Sequence, residues 1–321
     1  MKYLLLLLLW LPGRVAWGQK IPAYQQLLKL VEAPGVVFVR ESLFMDEAEV
    51  NNIGWLEYTS ALKKDSTQAQ YRASLPDSTV WQKLAPEDIF LSYYWRVPGL
   101  RFYPVVGISY AQAVRYCRWR TALVNQILHS PEHLRKHPKL KHYTFRVRYR
   151  LPTVREWELA AAGGLNPTQY PFGGAYPPAP GSRGYKRQLQ IPAGAACRPA
   201  AEADSPAFSM PFNVRERSYR GSPKQAFNCP DLLAYQVTAE GVLTDNSVIT
   251  EHVYAYPPND YGLYCMIGNV AELTATPGIA KGGSFEHSTR DFTLLTDFPY
   301  TQPQEWLGFR CTATVYISPK P

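Results

Sequence analysis

From Leu165 to Phe227 the chain is rich in Pro, Gly, Ser, Ala and Arg and keeps no helical or strand period. Such a block predicts long irregular connections. A stretch of that length ordinarily counts against a compact domain. The fold must therefore carry long loops on a small regular frame.

The frame is written in short, well-punctuated segments. Glu49-Val50 leads into Asn51, a good N-cap, and the apolar positions Ile53, Trp55, Leu56, Tyr58 and Leu62 predict a helix over about 52–63. Pro104 to Ile108 reads as a short apolar strand, and Ser109 with Gln112 forms a capping box for a helix carrying Ala113, Val114, Cys117 and Trp119 to Leu123. Arg146 to Arg150 alternates charge with Val147 and Tyr149, as an edge strand does. Leu151-Pro152 stops that strand, and Thr153 with Glu156 caps a helix through Trp157, Leu159, Ala160 and Ala161 that closes at Gly163-Gly164.

The N-terminus predicts export. Met1-Lys2, the apolar run Leu4 to Leu11 and the small-x-small site Ala16-Trp17-Gly18 ahead of Gln19 have the form of a secretory signal peptide over residues 1–18. The run is shorter than the roughly 20 residues a membrane-spanning helix needs, and no cysteine follows it to take a lipid. The expected destination is the periplasm or the cell surface, with no further membrane segment downstream. The apolar content of 46% is enough for one large domain or two small ones. A formal charge of +8, spread along the chain, says little about partners. The five cysteines, Cys117, Cys197, Cys229, Cys265 and Cys311, form no C-x-x-C pair, and their odd number leaves at least one thiol free or paired between molecules.

The histidines are His129, His133, His137, His142, His252 and His287. The first three, spaced i, i+4, i+8, would align on one helix face, but Pro131 and Pro138 interrupt it. The expectation is a solvated basic loop with Arg135, Lys136, Lys139 and Lys141 rather than a zinc or iron site. In an exported chain such a loop suits an anionic polysaccharide, a lipid headgroup or an acidic partner better than nucleic acid.

Three runs near the C-terminus, NDYGLYCMIGNVAEL from Asn259, KGGSFEH from Lys281 and LGFRC ending at Cys311, stand in order. With YRLPTVREWELAAAGG ending at Gly164, PVVGISYAQAVRYCRW from Pro104 and Tyr170-Pro171-Phe172-Gly173, they resemble the formylglycine-generating enzyme, or sulfatase-modifying-factor, family from about Val36 to Val315. The resemblance implies a loop-rich variant of the C-type-lectin-like α+β fold. It divides the chain into a signal peptide over 1–18, a lead segment over 19–35, the domain over 36–315 and a tail over 316–321. The run LPDSTVW from Leu75 and the AYPPNDYGLY run look most like the gliding-motility and type IX secretion lipoprotein branch of Bacteroidetes, from which the missing lipid-attachment cysteine departs.

The family's enzymes oxidise a sulfatase cysteine to formylglycine with two thiolates that hold Cu(I). The resemblance places those two positions on His287 and Phe292, and puts Ala271 where the enzymes carry a pocket tryptophan. Ser284 keeps the matching serine, which as a residue of a Gly-Gly-Ser bend also has a plain turn role. Copper and the oxidase reaction are therefore not expected, and a non-catalytic envelope scaffold or binding module for protein or glycan partners is. Formylglycine generation remains the alternative.

The family also implies two calcium sites built from oxygen ligands. The first would use the side chains of Asn228 and Asp245 with the carbonyls of Cys229 and Ser247. The second would use residue 265, the carbonyls of Gly268 and Val270 and the Glu272 carboxylate, with Cys265 a poor ligand for a hard cation. The alternative for Glu272 is a carboxylate bonded to loop amides. Cys117 and Cys311 match positions that are disulfide-bonded in some relatives, two separate buried thiols being the other possibility.

Overall fold

The computed structural model describes residues 33–83, 93–168, 250–256, 258–287 and 292–320, together with Leu28, Val31 and the backbone of short strands between 198 and 244. The first sheet is antiparallel, in the order β1 (Val36–Arg40), β2 (Leu43–Asp46), β13 (Thr312–Pro319), β3 (Tyr143–Arg150). The last strand thus inserts between the first hairpin and β3, so the two ends of the domain share one sheet. The second sheet runs β11 (Phe298–Pro299), β10 (Ile279–Lys281), β9 (Ala271–Leu273), β12 (Leu307–Gly308), with β9 and β12 parallel. Between them in sequence, β4 (Arg198–Pro199) pairs with β6 (Phe227–Asn228), and β5 (Ala207–Phe208) with β7 (Tyr235–Val237), which also pairs with β8 (Leu243–Thr244).

The expected helices form with the expected caps. Helix α1 (Asn52–Asp65) starts where the Asn51 side chain accepts the Gly54 N–H at 3.0 Å. A short α2 (Gln68–Arg72) follows it. The long α3 (Tyr110–Leu128) and α5 (Val154–Ala161) open on the Ser109/Gln112 and Thr153/Glu156 capping boxes, each with both reciprocal bonds made. Trp55 and Tyr58 of α1, Tyr116 and Trp119 of α3, and Phe309 meet at ring separations of 5.2–6.0 Å. Rings at such distances add to their burial by about 0.5–1.5 kcal/mol a pair. Leu28 and Val31, in the lead segment, are buried in the same core.

Two expectations need correction. Pro104 to Ile108 is buried but is not a strand: one bridge joins Asn51 to Pro104, and Val105 N–H reaches Val50 O at 2.9 Å. Pro104 has no N–H to extend a ladder, and Gly107, at φ +70°, turns the chain out of extended geometry. The histidine segment is not a loop either. Pro131 opens a short helix, α4 (Pro131–Lys136), and Pro138 a 3-10 turn, since proline is tolerated at the first helical position. His133 and His137 stack at 4.4 Å, and His129 stacks on Phe145 at 4.4 Å.

The free edge of β3 is sealed by α3. Asn125 Nδ2 donates to Val147 O at 2.7 Å while its Oδ1 accepts Val147 N–H at 3.0 Å. One step along, the Thr121 hydroxyl accepts Tyr149 N–H at 2.9 Å and donates its proton to Cys117 O at 2.8 Å. Four helical residues rise about 6 Å and two strand residues about 6.8 Å, so side chains four apart on the helix match alternate residues of the strand. An edge that would otherwise invite another strand is satisfied within the molecule. Among the described residues no helix is long and apolar enough to cross a membrane.

Candidate functional site

Strand β10 delivers Lys281, Gly282, Gly283 and Ser284 to the centre of the molecule, where Lys281 and Ser284 are fully buried. Lys281 Nζ donates to Glu158 at 2.7 Å and Asp297 at 3.1 Å, which compensates for burying its charge. Ser284 Oγ accepts the Glu286 N–H at 3.1 Å and lies 2.7 Å from His287 Nδ1. The serine thus belongs to a closed turn. Ser284 itself has no exposure to solvent, and His287 is half-buried.

His287 and Phe292, the two positions the resemblance singled out, both face aromatic rings. The His287 ring lies 4.4 Å from Phe298 and 5.2 Å from Trp306, both edge-to-face. Phe292 is buried and packs on Phe298 at 5.4 Å. It also fills the space over Gly283: a Cβ added there would stand 2.4 Å from Phe292 Cζ, and the backbone is at φ +68°. A side chain at residue 283 is excluded twice over, by ring and by backbone. Ala271, in β9, is fully buried and its N–H bonds Trp306 O at 2.9 Å. The centre holds apolar rings and a tied serine, and it does not bring two soft ligands together. A Cu(I) ion does not fit this side-chain set.

A second centre, beside the first, is strongly polar. Glu272, one residue after Ala271, accepts from Arg310 Nε at 2.9 and 2.7 Å and from Arg310 Nη2 at 2.6 Å, and Trp157 Nε1 donates to its other oxygen at 2.7 Å. Arg310 also donates to the carbonyls of Asp46, Glu47 and Tyr264. Burial works against the Arg310 charge, but Glu272 outweighs it and holds the guanidinium above its ordinary range. Nearby Glu49 has its carboxyl pushed up to about 8 by burial, opposed by Arg310 and reinforced by Glu272. Its Oε1 accepts from Asn269 Nδ2 at 3.0 Å, and its Oε2 has no partner among the described residues. Asn269 also spans Glu251, accepting its N–H at 2.8 Å and donating to its carbonyl at 3.3 Å.

This polar centre ties α5, β9, the first hairpin and the last strand to the 265–270 loop, where Cys265 and Asn269 both take positive φ. Sequence reasoning singled out Glu272 and the GFR run but missed that the two are partners, and it assigned no role to Glu49 or Lys281. For Arg310 the available signal was a charged residue set inside an apolar run, as in LGFRC.

For the second calcium set, the described geometry gives both side-chain ligands another use. Glu272 has both oxygens engaged by Arg310 and Trp157, and Cys265 Sγ, whose thiol burial pushes up, donates to Val253 O at 3.4 Å. A cation there would meet the Arg310 guanidinium on the same oxygens, so this arrangement does not fit calcium. Gly268 N–H bonds Gly282 O at 2.9 Å, and Val270 is buried against the core. For the first set, the Asn228 backbone pairs with Arg198, while its side chain and Cys229, Asp245 and Ser247 lie outside the described residues. Among the described residues no group of three His, Cys, Asp or Glu is placed to hold a metal. Cys117 on α3 and Cys311 before β13 are brought together as two buried thiols, with sulfurs 3.2 Å apart. Cys197 lies outside the described residues.

The sequence compares directly with known proteins. It is 27% identical over 301 residues to the inactive C-alpha-formylglycine-generating enzyme 2 of Bos taurus, covering 86% of this chain and 72% of the relative. The protein of the same name from Mus musculus is 26% identical over 304 residues, covering 86% and 70%. Among solved structures CarF aligns with a TM-score of 0.41 at 19% identity, over 85% of this chain and 86% of that one. The family description "sulfatase-modifying factor enzyme 1-like domain" matches residues 8–213 and 215–315. The chain belongs to the sulfatase-modifying factor enzyme 1-like family and has its mixed α+β fold.

Proposed function

We propose that this chain is an exported, non-catalytic member of its family, a scaffold or binding module in cell-envelope assembly of the gliding or type IX secretion kind. One observation supports the non-catalytic reading: the resemblance assigns the two reactive cysteine positions to His287 and Phe292, and the Phe292 ring fills the space over Gly283. The mammalian relatives' own name, inactive, is in keeping with it. Export rests on the signal-like N-terminus, and the envelope role on resemblance of short runs such as LPDSTVW.

Calcium at the Asn228, Cys229, Asp245 and Ser247 set is proposed as a stabiliser, on the oxygen-donor chemistry of those residues. The Glu272 set is left out, because Arg310 already supplies its counter-charge.

The test is affinity purification of the tagged chain from its native envelope, in calcium and in chelator. Recovery of envelope-assembly proteins supports the scaffold reading, and recovery of sulfatases alone overturns it. Thermal denaturation in the same two buffers checks the metal: a higher midpoint in calcium is expected, and an unchanged one removes calcium from the account.

A further inference from the structure

A groove of about 800 Å³ runs along the sealed edge of β3, between that strand and α3. Its apolar surface comes from Val114, Ala122, Phe145 and Leu151, and its cations are Arg118, Arg146 and Arg148, with Arg150 and His129 at its limits. No Asp or Glu lines it. Arg150 is committed to Glu156 at 2.6 Å, whereas Arg118, Arg146 and Arg148 are exposed and make no ion pair among the described residues. Uncompensated positive charge beside apolar surface is an unfinished interface, and the charge states the sign of what completes it.

We propose that this groove binds an extended acidic peptide segment of an envelope partner, a proposal that rests on the binding-module reading above. Spacing favours a peptide. Arg146 and Arg148 are two residues apart on one face of β3, opposite Tyr316 and Thr314 of β13. Side chains at that separation recur about every 6.8 Å, the repeat of alternate side chains on a second extended chain. Acidic groups at i and i+2 of the partner meet the two guanidinium groups in register, while small apolar side chains rest on Val114, Ala122 and Leu151. Strand addition is not the mode, because Asn125 already occupies the N–H and C=O of Val147 and Thr121 the N–H of Tyr149. Recognition therefore runs through side chains and weakens with salt.

The test is fluorescence polarisation of the whole chain with a labelled synthetic peptide of alternating glutamate and valine, with heparin and anionic phosphatidylglycerol vesicles as competing ligands. Saturable binding is expected, weakened about tenfold in Arg146→Ala/Arg148→Ala and further by salt. A Lys139→Ala/Lys141→Ala variant, altered outside the groove, is expected to bind as before. Equal binding by the Arg146/Arg148 variant with unchanged circular dichroism overturns the proposal, as does no peptide binding beside tight binding of heparin or vesicles. Failure here leaves the non-catalytic reading standing, since that reading falls only if a cysteine substrate is oxidised.

Discussion

The two buried centres of this molecule lie side by side and have diverged in opposite directions. One, around Glu272 and Arg310, keeps every polar bond a buried ion pair requires. The other, around Gly283, His287 and Phe292, is built of packed aromatic rings. The first ties helices and strands into one frame. The second is where chemistry would be done.

The sharpest way to break that contrast is to remove the framing charge. Arg310→Met leaves Glu272 buried without its partner and is expected to cost about 3–5 kcal/mol, read as a fall in the urea midpoint. If the loss is under about 1 kcal/mol, as for an exposed pair, the polar centre is not the frame. Phe292→Ala tests the other side: loss of a buried ring in a packed core is expected to cost about 3 kcal/mol. A neutral result would mean that the ring does not fill the site.

A middle-sized effect is expected at the sealed edge. Asn125→Ala strands the N–H and C=O of Val147 and is expected to cost about 1–3 kcal/mol, with faster amide exchange at residue 147. Protection unchanged there would show that the helix does not seal the strand.

The pH dependence of Glu49 probes the same polar centre by titration. Its carboxyl moves from an ordinary 4.5 to about 8 on folding. A group raised on folding gives its full stabilisation below the unfolded value and loses it as pH climbs through the folded one. Stability should therefore decline between about pH 4.5 and 8, and Glu49→Gln should flatten that slope. A variant with the wild-type slope would assign the titration elsewhere.

The parts legible in the sequence were those encoded locally. Asn51, Ser109 with Gln112, and Thr153 with Glu156 start helices through bonds that span three residues, so their spacing is visible in one line of sequence. The GGS bend was visible for the same reason. What stayed hidden depends on partners far apart in the chain: Glu272 with Arg310, Glu49 with Asn269, Lys281 with Glu158, Asn125 with Val147. Pro104 to Ile108 looked like a strand because its residues are apolar, but burial alone does not supply a ladder partner. Pro131 looked like a helix breaker because its place at a first turn depends on the Ser130 cap.

The most direct test of the central claim is turnover. The purified chain, supplied with copper, dioxygen and a reductant, is incubated with a cysteine-containing sulfatase peptide, and the peptide is followed by mass spectrometry and aldehyde capture. The expected result is an unchanged peptide, with an active family enzyme converting it in parallel. Formation of formylglycine by this chain, abolished by His287→Ala, would contradict the account and restore a reaction to the site Phe292 fills.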